Sequence, residues 1–343
     1  MLSIKEMRNR LPKEFMEFLY EKYTPIKVDQ ILLGMTSERY TTLRVNTLKY
    51  DIQSLMRYFK EKNIKFERVP WYNDALIIKN ANEKQIQKLD IYEKGYIYLQ
   101  SLSSMVPPLA LNPKEGEKVL DLTAAPGSKT TELAALMNNK GYILANELDK
   151  IRYERLKYNV EAQGTKIVEV INGRGEKIGE QYPEYFDKVL LDTPCSGEGR
   201  FIVNSVATYR DWSPKKVKEL SKLQKKLFES SYKALKPNGI MVYSTCTLNL
   251  EENEYILDWA LKNFNIKLID IDLNIKDAQP GFNENINKLI NKAIRLLPSK
   301  DTEGFFVAKL KKLWQRGRPF LTHMLDVEIW RKKWYMNLKY QER

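Results

Sequence analysis

From Val119 onward, apolar runs of strand type alternate with helical stretches, and this alternation leaves the chain few architectures. The spacing predicts strand 119–122 and a helix from about Ser128, strand 141–146 and helix Lys150–Ala162, then strand Ile167–Ile171. Strand 188–192, a long helix near Ser213–Leu235, strand 240–245, helix Glu251–Asn263 and strand Ile266–Ile271 follow. A last strand is expected at Phe305–Leu310. Strands alternating with helices specify an α/β fold built on a doubly wound, mostly parallel sheet.

The first third of the chain has a different rhythm. Residues 3–23 read as a helix with Leu11, Phe15, Phe18 and Leu19 on one face. A β-type run at 40–46, a helical stretch Ile52–Lys62, strand-like Phe66–Val69 and Ala75–Ile78, and a short helix near Glu83–Leu89 follow. They suggest a compact α+β module of about 75 residues, closed by the charged, turn-rich stretch 112–117. The expected division is a helical segment 1–37, a module 38–112, a main domain 113–310 and a tail 311–343.

Two of the predicted strands run into cysteines, Asp192-Thr193-Pro194-Cys195 and Ser244-Thr245-Cys246, and these are the chain's two cysteines. Both thiols are expected at carboxyl ends of strands, where open α/β sheets bind their ligands. Two thiols are too few for a disulfide framework or a cysteine-rich zinc site, and one histidine, His323, does not complete a metal set. The plain alternative is that they are small buried hydrophobes. Upstream, residues 123–130 place small side chains where the first strand turns into its helix. Small residues let the backbone approach a ligand, and free N–H groups at the helix start favour its carboxylate or phosphate. The Walker A spacing is absent. The next strand ends at Glu147, an acid placed to accept both hydroxyls of a ribose. Together these features point to a nucleoside cofactor facing a thiol nucleophile.

Composition narrows the class. With 343 residues, 43% of them hydrophobic, the chain can bury one full core and a smaller one. No apolar signal core and no run approaching the ~20 apolar residues of a membrane span is present, so a soluble cytoplasmic protein with reduced thiols is expected. Lys and Arg number 57 against 44 Asp and Glu, a net charge of +13 that suits a polyanionic partner. Residues 311–343 hold nine Lys/Arg against Asp326, Glu328 and Glu342, mixed with Trp314, Trp330, Trp334, Tyr335 and Tyr340. Such a mixture suits phosphates and splayed bases, although an amphipathic helix docked on the body reads the same way.

Segments 123–130, 191–200 and 243–254 resemble the Nop/Sun (RsmB/RsmF-type) RNA cytosine-C5 methyltransferases, as do 40–49 (YTTLRVNTLK) and Arg295–Pro298 with 302–308. The stretch from Cys195 through Trp212 to Gln224 looks most like the RsmF branch. The resemblance implies a Rossmann-like methyltransferase sheet with an RNA-binding module, S-adenosylmethionine as cofactor and RNA as partner, no metal, and a monomer. By the same matching, Thr123, Ala124, Ala125, Pro126, Gly127, Ser128 and Lys129 hold the methionine end and Glu147 the ribose, while Arg152 and Asp192 complete the pocket. Where the family has an aspartate near adenine this chain has Asn172, its second loop glycine is Ser128, and a frequent histidine is Ser299.

The chemistry explains the thiols. Cytosine C5 is a poor nucleophile until a thiolate adds to C6 and converts the ring to an enamine-like adduct. A donor at N3 stabilises that adduct, and Asp192 can serve if burial raises its pKa, with Lys129 as the cation nearby. Chemistry alone leaves the nucleophile open between the two cysteines. The family resemblance assigns Cys246 as nucleophile and Cys195 to product release. The target base must be single-stranded or flipped out. Ribosomal RNA is the favoured substrate; transfer RNA, a DNA cytosine methyltransferase and a non-catalytic RNA-binding assembly factor are the alternatives.

Overall fold

The computed structural model describes residues 2–36 and 38–314. Three helices come first: α1 (Ile4–Arg10), α2 (Lys13–Lys22) and α3 (Pro25–Thr36). The single helix expected over 3–23 is two, because Pro12 has no N–H to continue α1 and instead stands at the N-cap of α2. Their apolar faces form one cluster with Phe201, Val203, Tyr209 and Leu248, which lie just past the two cysteines. The N-terminal helices therefore brace the cysteine loops.

The next segment forms a four-stranded sheet whose strands lie, in chain order, second, third, first, fourth. Its elements are β1 (Thr41–Val45), α4 (Ile52–Glu61), β2 (Phe66–Val69), β3 (Tyr72–Ile78), α5 (Glu83–Gln87), α6 (Asp90–Glu93) and β4 (Ile97–Leu99). Leu43, Val45, Leu55, Phe59, Leu76, Ile78 and Ile97 bury a core of their own beneath it. Helix α7 (Leu102–Leu111) then leads into the main sheet, capped by Asn112 in the left-handed conformation. Neither β4 nor α7 was legible in the sequence; Pro107 and Pro108 inside α7 conceal its helical character.

The main sheet follows the alternation: β5 (Lys118–Asp121), α8 (Ser128–Leu136), β6 (Tyr142–Glu147), α9 (Lys150–Ala162), β7 (Val168–Asn172), α10 (Gly175–Gln181), β8 (Phe186–Asp192), α11 (Pro214–Ala234), β9 (Leu235–Thr245) and α12 (Glu254–Asn263). Strands β7, β6, β5, β8 and β9 are parallel neighbours. The far side is antiparallel. There β13 (Phe305–Lys312) pairs with β9, with β10 (Ile266–Ile269) and with β12 (Ile294–Leu296), which pairs with β11 (Gln279–Pro280). Helix α12 carries the chain from β9 to β10, and the strands after β10 are joined without further α-helices. The tail predicted over 311–343 begins inside β13, and beyond Trp314 it lies outside the described residues.

Among the described residues no helix is long and apolar enough to cross a membrane.

Candidate active site

The carboxyl ends of β5, β8 and β9 meet at a cleft of about 600 Å³. Its wall includes Thr123, Ala124, Ala125 and Pro126 from the loop after β5, Ser128 and Lys129 from the start of α8, Arg152 from α9, Asp192 at the end of β8, Cys195 beyond it, and Cys246 after β9. The sequence-predicted residues are therefore brought together, with three exceptions. Gly127, Glu147 and Asn172 stand behind or beside this wall. Gly127 has φ +104°, which favours glycine, and an added Cβ would meet Leu156 Cδ1 at 3.0 Å. Glu147 is nearly buried; its Oε1 accepts from the Asp149 N–H at 3.0 Å, and its Oε2 lies 3.6 Å from Arg152 Nη1. Arg152 also donates to the Ala125 carbonyl at 2.8 Å, tying the acid to the small-residue loop. Asn172 Nδ2 donates to the carbonyls of Glu147 (2.7 Å) and Leu148 (2.9 Å), which leaves Oδ1 for other partners. Ser299 accepts through Oγ from the N–H groups of Asp301 and Thr302 and so closes a turn.

The two thiols are neighbours. Cys195 Sγ lies 3.2 Å from Cys246 Sγ and accepts from the Cys246 N–H at 3.3 Å. The hydrogen bond with Cys246, together with burial, pushes the Cys195 thiol well above its ordinary pKa. The Cys195 loop is held from behind: Gln224 donates to the Pro194 carbonyl at 2.9 Å, and Glu252 accepts from the Ser196 N–H at 3.0 Å and from Gln224 at 2.9 Å. Gly199 donates to the Cys246 carbonyl at 3.0 Å, and a Cβ on Gly199 would sit 2.0 Å from the Gly304 oxygen. This close approach admits only glycine.

The sequence reading set Lys129 near Asp192, and the structure pairs the two. Asp192 is a quarter exposed, its Oδ2 lies 2.6 Å from Lys129 Nζ, and its Oδ1 accepts from Ser244 Oγ at 2.7 Å. Burial opposes charge on Lys129, but the facing Asp192 carboxylate outweighs it and holds the ammonium above its ordinary pKa. Lys129 thus presents a charged N–H donor in the cleft that also holds the thiols. Thr123 fastens the same corner, donating to the Asp192 carbonyl at 2.8 Å.

Several wall residues escaped the sequence reading. Tyr98, Gln100, Ser101, Arg200 and Glu303 come from the small sheet, a 3-10 turn and the loop before β13. Arg44, fully buried, donates to Gln100 Oε1 (2.9 Å), the Ser128 carbonyl (3.1 Å) and Thr131 Oγ1 (2.7 Å). The one signal was a cation between Leu43 and Val45 in an apolar strand. Among the described residues no group of three or more His, Cys, Asp or Glu could hold a metal ion.

Comparison with known proteins agrees with this geometry. Residues 108–311 match the family model described as 16S rRNA methyltransferase RsmB/F, and residues 11–102 match the N-terminal domain of 16S rRNA methyltransferase RsmF. Ribosomal RNA small subunit methyltransferase F of Pectobacterium carotovorum subsp. carotovorum (strain PC1) is 34% identical over 88% of the chain, which spans only 63% of that protein. The tRNA (cytosine(49)-C(5))-methyltransferase of Pyrococcus abyssi is 36% identical over 88% of this chain and 92% of its own. A solved methyltransferase homolog from Pyrococcus horikoshii superposes with a TM-score of 0.80 at 35% identity, covering 91% of this chain and all of that one. RsmB/F methyltransferases depend on S-adenosylmethionine. On the extent of the match, the two thiol loops and the shared architecture, the chain belongs to the RsmB/F methyltransferase family.

Proposed function

We propose that this chain methylates C5 of cytosine in RNA, using S-adenosylmethionine and a covalent cysteine adduct at C6. The observation that carries this reading is the pair of thiols 3.2 Å apart beside the Lys129–Asp192 ion pair, at the mouth of a cleft walled by small residues. The donor set fits the cofactor. Thr123, Ala124, Ala125, Pro126 and Ser128 form a small-residue wall, turned at Gly127, that admits its methionine end beside Lys129 and Asp192, and Glu147 suits the ribose hydroxyls. Arg152 fixes Glu147, and Asn172 Oδ1 suits the adenine amino group. When bound, the cofactor supplies a methyl group on a sulfonium.

Within this reading the residues divide the work. The family resemblance of its loop assigns Cys246 the attack on C6, and its sulfur lies 3.2 Å from Cys195 Sγ. Lys129 donates toward N3 as negative charge builds on the ring, and Asp192, held by Ser244, orients Lys129. Cys195 then serves release. The small sheet and its loops form the RNA-binding module, for which the match to the RsmF N-terminal domain is the support. The names of the relatives favour ribosomal RNA, with transfer RNA as the second reading because of the Pyrococcus abyssi relative.

Two variants test the proposal. Cys246→Ala abolishes methyl transfer and forms no covalent complex with RNA. Cys195→Ala attacks and methylates, then stalls as a cofactor-dependent protein–RNA adduct visible on a denaturing gel. The adduct appearing in Cys246→Ala instead would move the nucleophile to Cys195.

A further inference from the structure

We propose that the exposed face of α11 is a second RNA-docking surface, which takes backbone phosphates of a folded RNA on the side of the main sheet away from the small module. The inference rests on the reading of this chain as an enzyme acting on RNA. Helix α11 buries Val217, Ser221, Gln224, Leu227, Phe228 and Ser231. At 3.6 residues per turn, Lys215, Lys218, Lys222 and Lys226 fall on the opposite face, one turn apart, and all four are exposed. The row they make is about 16 Å long. From Lys215 to Lys226 the chain has six lysines against Glu219 alone.

Elsewhere the protein pairs the cations of its exposed helix faces. Lys13 with Glu17, Lys94 with Asp90, Lys262 with Asp258 and, at the far end of α11 itself, Lys233 with Glu229 are ion pairs four residues apart. Among the described residues no acid stands within ion-pair distance of Lys215, Lys218, Lys222 or Lys226. Like charges three and four positions apart on a helix repel, and a polyanion laid along the row relieves that repulsion. An ammonium is a point charge without the planar fork that reads a base edge, so the row recognises backbone and not sequence.

Placement ties the row to the thiols. Leu227 and Phe228 of α11 pack with Val189 and Leu191 of β8, whereas α7 and α8 pack with Leu190, whose side chain leaves the strand on the other face. The small sheet sits on α7, with Val69, Tyr72 and Ile77 against Leu102 and Met105. The lysine row and the small module therefore flank the sheet from opposite faces, with the cysteines at the carboxyl edge between them. Gln224, on the buried side of α11, donates to the Pro194 carbonyl at 2.9 Å. Ser213 caps the helix directly after Trp212, whose indole N–H donates to Glu198 at 3.0 Å. RNA held on the row is thus held in a fixed relation to the Cys195 loop, and RNA that also reaches the small module has to cross the edge that carries the thiols.

Fluorescence anisotropy with an RNA duplex of about 20 base pairs, repeated across a salt series, reads the row directly, because each phosphate contact releases counterions. Lys215→Gln, Lys218→Gln, Lys222→Gln and Lys226→Gln combined should make the slope of log K against log salt shallower by about 2–4 and weaken low-salt binding about tenfold or more. Affinity for S-adenosylmethionine should not change, and the melting temperature should hold or rise as the repulsion disappears. The same four positions changed to Arg should keep the wild-type slope, which separates charge from the lysine stem. On the wild-type protein, the duplex should protect these four lysines from acetylation by N-hydroxysuccinimide acetate, read by peptide mass spectrometry. Wild-type affinity and slope in the Gln variant, a lost slope in the Arg variant, or four lysines that stay reactive in the complex would each overturn the docking surface and leave the methylation reading standing. Wild-type protein that binds single-stranded RNA but not the duplex would overturn it as well. Binding of neither RNA would remove the RNA reading along with it.

Discussion

Arg44 of the small sheet donates to Thr131 Oγ1 of α8 at 2.7 Å, from a position with no solvent exposure. The same guanidinium reaches the Ser128 carbonyl, in the first turn of the helix that follows the cofactor loop. One buried cation thus joins the sheet expected to bind RNA to the loop expected to bind the cofactor. Arg44→Met should cost about 1–3 kcal/mol of stability, because Gln100 and Thr131 lose a buried hydrogen-bonding partner. Urea unfolding measures it; a loss under ~1 kcal/mol would show that the network adds nothing to the interface.

Acid–base behaviour gives a second test. Burial first of all lifts Asp121 to about 7, Glu132 to about 8 and Glu252 to about 7. A carboxyl with a raised pKa binds its proton more tightly folded than unfolded, so its contribution is fully present near pH 4 and is lost as pH rises through the folded value. Stability of the free protein should therefore fall between about pH 5 and 8, by up to about 1.4 kcal/mol per pH unit for each group. Urea midpoints that stay flat or rise across this window would contradict it.

Lys129 can be separated from the thiols. Lys129→Gln should lower single-turnover methyl transfer by roughly 10²–10³-fold, the usual effect of removing one donor from developing negative charge. Covalent capture of RNA by a Cys195→Ala background should slow in parallel. Normal turnover would assign the N3 contact elsewhere.

Glu147→Ala should weaken S-adenosylmethionine by about 1–3 kcal/mol in calorimetry, from loss of one charged hydrogen-bonding partner. An unchanged affinity would remove Glu147 from the ribose.

The bracing of the cysteine loop is testable through packing. Phe201 is fully buried and meets Phe15 edge-on at 5.1 Å and Trp212 at 6.4 Å. Phe201→Ala should cost about 3–5 kcal/mol and reduce methyl transfer beyond the fraction unfolded, since the loop bearing Cys195 loses its support. Activity that simply tracks the folded fraction would show that the N-terminal helices stabilise without positioning.

What the sequence determined by itself was local: periodicity for the parallel strands, and small residues where β5 turns into α8. The two cysteine motifs were equally plain, because strand ends and helix starts are set by neighbouring residues. Beyond that reach it failed in understandable ways. Leu11 and Pro12 hid a helix break, Pro107 and Pro108 hid a helix, and the antiparallel strands after β10 lacked the helices that mark a crossover. Lys129 and Asp192, named together through the family resemblance, are 63 positions apart in the chain and 2.6 Å apart in space. Only the tertiary structure decided that pairing, the contact between Cys195 and Cys246 and the reach of Arg44 into α8. Each depends on which strand ends share an edge of the sheet, and burial there sets charge states that no neighbouring residue in sequence can fix.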